Sequence, residues 1–231
     1  MEAYSIVIKG NKVSESGFKT LNASSAEVRN SFKIERHDAV TPDNVGVRMI
    51  ELDIRWDYPW HKPVRDMASG LLKSPYNTAN PNARIACAVS HYELWHKSAT
   101  EDRTILVLEH DAVWKKKLDE GVTSSKKYDI IGINDPRGAT RKSKQFHETV
   151  QSKEAEIQRA PVIDHELVPQ GIAGNSAYIV KPTGAAKLIN LVKSYGLWPN
   201  DAIMCRQLIR SLGVTRTYYT GVQGLPSTTS T

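Results

Sequence analysis

One stretch governs what this chain can become. Thr104-Ile105-Leu106-Val107-Leu108 is a continuous apolar run of strand length that breaks off abruptly in Glu109-His110-Asp111. A run that is apolar at every position belongs in a strand buried on both faces, of the kind found inside a parallel sheet covered by helices. Helices must therefore flank it. Asn80 is a good N-cap and Pro81 suits the first helical position. Ile85, Val89, Tyr92 and Trp95 follow on one face, with Cys87, His91 and Leu94 as an adjoining stripe, so a helix is predicted from 81 to about 98.

The rest of the chain alternates in the same way. Tyr4-Ser5-Ile6-Val7-Ile8 reads as a buried strand ending at Lys9-Gly10-Asn11, followed by a weakly amphipathic helix with Phe18, Leu21, Ser25 and Val28, capped by Ser14. A second strand is expected at 33–36. Residues 38–81 show no sustained period and read as irregular surface with a short strand at 47–50; long irregular stretches in a compact domain are often binding loops. Further strands are expected at 129–133, 177–180 and 214–219, and helices around 148–158, around 188–195 with Gly196 as its stop, and from 200 to 212. Strands alternating with helices predict an α/β layered domain over residues 1–225, with a frayed tail at 226–231.

Composition removes several classes. With 40% hydrophobic and 24% charged residues the 231-residue chain is neither disordered nor fibrous. No apolar run reaches the roughly 18 residues of a membrane-spanning helix. The first residues lack a basic leader and a long apolar stretch, so no secretory signal is expected. Cys87 and Cys205 cannot make a disulfide scaffold or a four-cysteine zinc site, which fits reduced thiols in a cytoplasmic protein. The net charge of +6 favours anionic partners such as nucleic acid, a phospholipid surface or a sugar nucleotide.

The chemistry is concentrated where the apolar run ends. Side chains alternate along a strand, so Glu109 and Asp111 should share one side and His110 the other. Two carboxylates at the C-terminal end of a buried strand lie where α/β sheets bind ligands. Their hard oxygens suit Mg²⁺ or Mn²⁺, with a diphosphate supplying further oxygens. A solvated loop after a strand is the alternative.

Five motifs in order then carry a resemblance: Cys87-Ala88-Val89-Ser90-His91 with Trp95; Leu108-Glu109-His110-Asp111; Gly174-Asn175-Ser176-Ala177-Tyr178; Gly184-Ala185-Ala186-Lys187-Leu188; and Pro199-Asn200-Asp201. In these the chain resembles the family 25 glycosyltransferases, from the first strand to about Leu212, and is similar to the compact versions carried by tailed phages. Three differences stand out. His110 replaces the middle acid of an acidic triplet, Arg84 stands where an acid is common, and Lys9-Gly10-Asn11-Lys12 replaces an Arg-rich segment.

The resemblance implies a GT-A-type, Rossmann-like mixed sheet flanked by helices, and inverting transfer of a hexose or pentose from a nucleotide-sugar to an acceptor hydroxyl. It implies a donor site drawn from Ile8, Lys9, Gly10, Asn11, Ser90, His91, Glu109, His110, Asp111, Gly174, Asn175 and Ser176. A divalent cation, Mn²⁺ or Mg²⁺, would sit on Asp111 and Glu109, and Asp201 is the first candidate base with Glu109 second.

Simpler roles stand beside these. His91 could be a satisfied core histidine, and Asp201 could only complement the helix that starts there. Trp56, Tyr58 and Trp60, interleaved with Arg55, His61, Lys62 and Arg65, could stack a sugar or cover the core edge. Arg137, Arg141, Lys142 and Lys144 form a basic loop that could be a solvated face or an acceptor-binding patch. That loop and the neutral Ser/Thr tail lean toward a soluble anionic acceptor, including a hydroxymethylated DNA base, in the cytoplasm (a host's cytoplasm for a phage protein). A lipo-oligosaccharide or other glycan is the alternative acceptor, and a non-catalytic carbohydrate- or nucleic-acid-binding relative is the alternative class.

Overall fold

The computed structural model describes residues 1–76, 78–139, 142–226 and 228. The chain opens with strand β1 (Glu2–Val7), helix α1 (Lys12–Glu27), β2 (Ile34–Asp38) and α2 (Val45–Glu51). Two short strands follow, β3 (Val64–Arg65) and β4 (Leu72–Lys73), then α3 (Pro81–Thr100), β5 (Ile105–Glu109), β6 (Ala112–Trp114) and α4 (Glu120–Ser124). After β7 (Ile130–Gly132) come α5 (Ser143–Gln151), β8 (Ile157–Arg159), β9 (Ala177–Val180), α6 (Pro182–Tyr195), α7 (Asn200–Ile203), β10 (Leu212–Thr215) and β11 (Thr220–Val222).

A seven-stranded sheet in the order β2-β1-β5-β9-β7-β10-β8 forms the centre. The pairs β1–β2, β1–β5 and β7–β10 are parallel, and β9 runs antiparallel to both β5 and β7. The start of β9 therefore meets the C-terminal ends of β5 and β7 at one edge. The expected α/β architecture, a mixed sheet flanked by helices, is what the chain adopts.

The β5 run explains the layering. Ile105 and Val107 pack with α3 and α6 residues such as Trp95 and Leu188, while Leu106 and Leu108 pack with Leu21 and Trp114 on the other face. Each fully buried side chain of this size contributes roughly 1.5–3 kcal/mol, which is why the strand tolerates no polar residue before Glu109.

Several boundaries differ from the sequence reading. Asn11, not Ser14, caps α1: its side chain accepts from the Ser14 amide at 3.0 Å, while Ser14 Oγ accepts from the Ile8 amide at 2.8 Å. Residues 47–50 are helical, within α2. Val47 and Ile50 are its exposed side and Val45 its buried one, so the apolar residues that resembled a strand are the ones facing water. The helix expected around 148–158 lies earlier, as α5, which ends at Gln151, and residues 157 and 158 belong to β8. The helix expected from 200 to 212 stops after Ile203. Cys205 forms an antiparallel bridge with Gly171, so its backbone is committed away from a helix. Of the strand expected at 214–219, only 214 and 215 are strand, as the end of β10; 216–219 link it to β11. The tail expectation falls mostly on residues outside those described; Thr228 is described and lines the same cleft as Lys9 and Glu109.

Candidate active site

Two clefts border α3, and the first of them opens where β5 ends. The first, about 340 Å³, is lined by Ile6, Ile8, Lys9 and Asn11 after β1, by residues 39–43 after β2, by Cys87, Ser90 and His91 of α3, and by Glu109 and His110. The second, about 420 Å³, is lined by Tyr58, Tyr76 and Arg84, by residues 168–174, and by Asp201. Of the expected donor set, Ile8, Lys9, Asn11, Ser90, His91, Glu109 and His110 line the first cleft. Gly174 lines the second. Gly10, Asp111, Asn175 and Ser176 line neither.

The strand geometry assumed for the acidic stretch holds only to Glu109. β5 ends there and His110 and Asp111 form a turn, so His110 lines the first cleft beside Glu109 instead of facing away from it. The turn is fixed from outside. The Gln223 amide donates to the Asp111 carbonyl at 2.8 Å. Gln223 Nε2 lies 2.9, 3.2 and 2.8 Å from the carbonyl oxygens of Gly17, His110 and Ala112. Gly17 permits this closeness, because a Cβ there would stand 2.7 Å from the His110 carbonyl oxygen.

A buried relay holds Glu109. Trp95 Nε1 donates to the Tyr178 hydroxyl at 2.7 Å, which leaves the Tyr178 proton for His91 Nδ1 at 2.8 Å. His91 Nε2 must then carry the other proton and donate it to Glu109 Oε1 at 3.2 Å. This is the one tautomer in which every buried proton finds an acceptor. His91, Trp95 and Tyr178 are all fully buried. His91 is thus a satisfied core histidine and a support for Glu109 at once.

Cys87 Sγ, a His91 nitrogen and a Glu109 oxygen lie within 4.8 Å of one another, the one such trio among the described residues. It is poorly suited to zinc. Both His91 nitrogens are engaged, and burial, reinforced by the charge of Glu109, pushes the Cys87 thiol well above its ordinary range. Asp111 suits a hard cation better. Its Oδ1 is buried with no hydrogen-bond partner. Burial first, and the charge of Glu109 second, push its carboxyl up to about 7. An unpartnered oxygen beside a second carboxylate is the environment that a divalent cation relieves. Burial lowers the His110 imidazole, with Glu109 opposing. Across the edge, the Glu109 amide donates to the Ser176 carbonyl at 2.8 Å, and the side chains of Asn175 and Ser176 also hold buried polar atoms without partners.

Ser90 braces the fold. Its hydroxyl donates to the Ala86 carbonyl and accepts from the Val40 amide, both at 2.9 Å, fixing the 39–43 wall of the first cleft on α3.

In the second cleft Tyr76 Oη donates to Asp201 Oδ2 at 2.5 Å, and the Arg84 guanidinium lies 4.6 Å from the Tyr76 ring centre. Burial raises the Asp201 carboxyl, while the Tyr76 hydrogen bond and Arg84 pull the other way. Asp201 caps nothing, because Pro199 is the cap residue of α7 and offers no side-chain hydrogen bond. Cys87 Sγ lies within 4.8 Å of a Glu109 oxygen and 4.0 Å from Asn200 Oδ1, so this α3 residue stands near both Glu109 and the neighbour of Asp201. Tyr76 carried no signal in the sequence, since its partner lies 125 positions away.

The basic loop is less exposed as charge than it reads. Arg137 pairs with Asp135 at 2.8 Å and Lys142 with Asp164 at 3.1 Å; Lys144 is exposed, and Arg141 lies outside the described residues. Trp56 and Trp60 stack 5.0 Å apart at 7°, half-buried, at one end of an aromatic series that runs through Tyr58 to Tyr76. No helix is long and apolar enough to cross a membrane among the described residues.

The family model described as "Glycosyltransferase family 25 (LPS biosynthesis protein)" matches residues 59–204, a span holding α3, β5, both sides of the second cleft and Asp201. No curated protein matches the chain by sequence. Among solved structures the chain is similar to mouse xyloside xylosyltransferase 1 in its apo form, at 11% identity over 91% of this chain and 80% of that one, with a TM-score of 0.39. It is also similar to galactosyltransferase LgtC in complex with donor and acceptor sugar analogs, at 9% identity over 93% and 73%, TM-score 0.41. A third is the apo bifunctional glycosyltransferase WbbM, at 11% identity over 92% and 38%, TM-score 0.43.

Proposed function

The chain belongs to glycosyltransferase family 25, and from that premise we propose that it moves a sugar from a nucleotide-sugar donor in the first cleft to an acceptor hydroxyl in the second. The observation that supports this is the placement of two carboxylates about Cys87: Glu109 lines the first cleft with an oxygen within 4.8 Å of the thiol, and Asp201 lines the second next to Asn200, whose Oδ1 lies 4.0 Å from the same thiol. A transfer reaction needs that layout: a charge-handling group on the donor side, a proton acceptor on the other, and little distance between them.

In this reading the 39–43 wall and Lys9 hold the nucleotide. Asp111 with Glu109 would hold a divalent cation. When bound, that ion supplies positive charge for the leaving diphosphate. Asp201 removes the acceptor proton during in-line attack, which inverts the anomeric centre. Its burial makes it a stronger base than a solvated aspartate, and the Tyr76 hydroxyl fixes one oxygen so that the other can face the acceptor. His91 positions Glu109 without touching substrate.

The ion pairs of Arg137 and Lys142 favour a glycan over DNA as acceptor, because a phosphate would have to displace Asp135 and Asp164. The reading is tested with a panel of sugar nucleotides and Mn²⁺. One donor should raise the melting temperature by several degrees and be hydrolysed slowly to free sugar. Stabilisation by no sugar nucleotide, or binding with no hydrolysis and no transfer, would replace the enzyme with a binding module.

A further inference from the structure

Among the described residues that line the second cleft, Arg84 is the one cation. It stands at the end of the first turn of α3, where the helix dipole disfavours positive charge, and that turn holds no acid. The Asn80 carbonyl accepts from the Arg84 amide at 3.4 Å, so the side chain leaves the helix from a fixed point. Helix stability alone gives no reason for a cation at this position.

The guanidinium is placed by an aromatic ring. It lies over Tyr76, 4.6 Å from the ring centre, and the hydroxyl of the same tyrosine donates to Asp201 Oδ2 at 2.5 Å. One ring thus sets the spacing between a cation and a carboxylate. A guanidinium seated by its face directs its N–H groups sideways, in a fork that fits a carboxylate or a phosphate.

The acids of the cleft wall are matched elsewhere. Asp201 takes its hydrogen bond from Tyr76. Asp164 lies 3.1 Å from Lys142 Nζ and accepts from the His165 amide at 2.9 Å. Gln170 Oε1 holds that loop by accepting from the Ile163 and Asp164 amides at 3.2 and 2.9 Å. Each acid therefore has a partner other than Arg84.

A ligand that fits this pairing offers a hydroxyl to Asp201 and a negative charge about one ring away. A hexuronate or a sugar phosphate has that form, with hydroxyls on the ring and the acid on the exocyclic carbon. A neutral sugar closing over Arg84 would strip water from its charge, whereas an acidic one replaces that water with charge-assisted hydrogen bonds.

We propose that Arg84 selects an acidic acceptor sugar, one that carries a carboxylate or a phosphate beside the hydroxyl that is attacked. This rests on the reading of the second cleft as the acceptor side. The anion takes no part in bond making. The attacked hydroxyl passes its proton to Asp201 while its oxygen joins the anomeric carbon and the donor's diphosphate leaves. Arg84 holds the acceptor ring so that this hydroxyl reaches Asp201.

The test is binding of methyl glycosides to the full chain, followed by NMR and compared in pairs. Methyl glucuronide is set against methyl glucoside, methyl galacturonide against methyl galactoside, and each neutral glycoside against its phosphate ester. At least one acidic member should bind roughly tenfold or more tightly than its neutral counterpart. Whether that member is a uronate or a phosphate ester names the anion. Arg84→Gln should equalise the pair, and Arg84→Lys, which keeps the charge and loses the fork, should reduce the ratio. The ratio is taken within one protein, so a general loss of affinity does not imitate it. If Arg84→Gln fails to fold, the reduced ratio in Arg84→Lys carries the comparison. Equal binding within every pair, a ratio that survives both substitutions, or no binding by any member overturns the proposal. So does a single-stranded oligonucleotide that binds more tightly than every acidic sugar and loses this on Arg84→Gln. Donor hydrolysis by the parent is measured in parallel. Its absence would count against sugar transfer and not against acidic-sugar binding.

Discussion

The Tyr178 hydroxyl stands 2.8 Å from His91 Nδ1 in the fully buried centre of the protein, and its proton decides which nitrogen of His91 faces Glu109 with a hydrogen. Tyr178→Phe removes that proton and leaves both Trp95 Nε1 and His91 Nδ1 without partners. Stability in urea should fall by about 1–3 kcal/mol. Donor hydrolysis should fall further than donor affinity, because Glu109 loses its fixed contact. Unchanged turnover in a folded Tyr178→Phe protein would show that His91 is packing alone.

Asp111 gives a pH prediction with a definite sign. Its folded carboxyl holds a proton up to about 7, whereas in the unfolded chain it ionises near its ordinary value of about 4. Between these values the folded state binds more protons. The contribution is therefore fully present below about pH 4 and is lost as pH rises to about 7. Thermal melts without divalent cation should show this decline in the parent, and Asp111→Asn should flatten it. Mn²⁺ should raise the melting temperature of the parent at neutral pH and leave the variant unmoved. Equal responses in both proteins would take the cation away from Asp111.

Asp201→Asn should lower turnover by roughly 10²-fold or more with donor affinity kept. Tyr76→Phe is the finer probe. The Tyr76 hydrogen bond lowers the Asp201 carboxyl against the effect of burial, so its loss should move the acid limb of the kcat/KM profile to higher pH. A profile that stays in place would assign the proton to another group, with Glu109 next in line.

The basic loop separates the two acceptors. Each phosphate contact contributes a salt slope near −0.9. With Arg137 and Lys142 held by Asp135 and Asp164, DNA retention by the parent should be weak and no steeper than about −2. Transfer to a glycan should be indifferent to replacing Arg137, Arg141, Lys142 and Lys144 with Ser. A slope of about −3 that the quadruple change abolishes would restore DNA as the acceptor.

Periodicity made α3 and β5 legible, because each carries a sustained pattern whose members end up buried, Ile85 and Cys87 only partly. Asn80 and Pro81 marked the start of α3 for the same local reason. Short elements escaped. α2 has seven residues, too few for its buried Val45 to outweigh the exposed Val47 and Ile50. The segment after Ile203 keeps Met204, Leu208 and Leu212 at helical spacing, and only the distant Gly171 decides that Cys205 is extended. The site divides along the same line. Glu109, Asp111 and Asp201 announce themselves as carboxylates at element ends, whereas the Tyr76 contact to Asp201 and the closure of the His110 turn depend on pairings that no window of sequence contains.

Gln223 spans Gly17, His110 and Ala112, contacts separated by 206, 113 and 111 positions in the chain. Contacts so far apart close late, since the loops between them must be ordered first. During synthesis, α1, α3 and β5 emerge and can pack long before β11 exists. The acidic turn then lacks the side chain that fixes three of its neighbouring carbonyls. A nascent chain can therefore carry nearly all of its core while its chemistry is still unset. The acidic turn is closed only when the Gln223 side chain, just past β11, reaches back to the first helix.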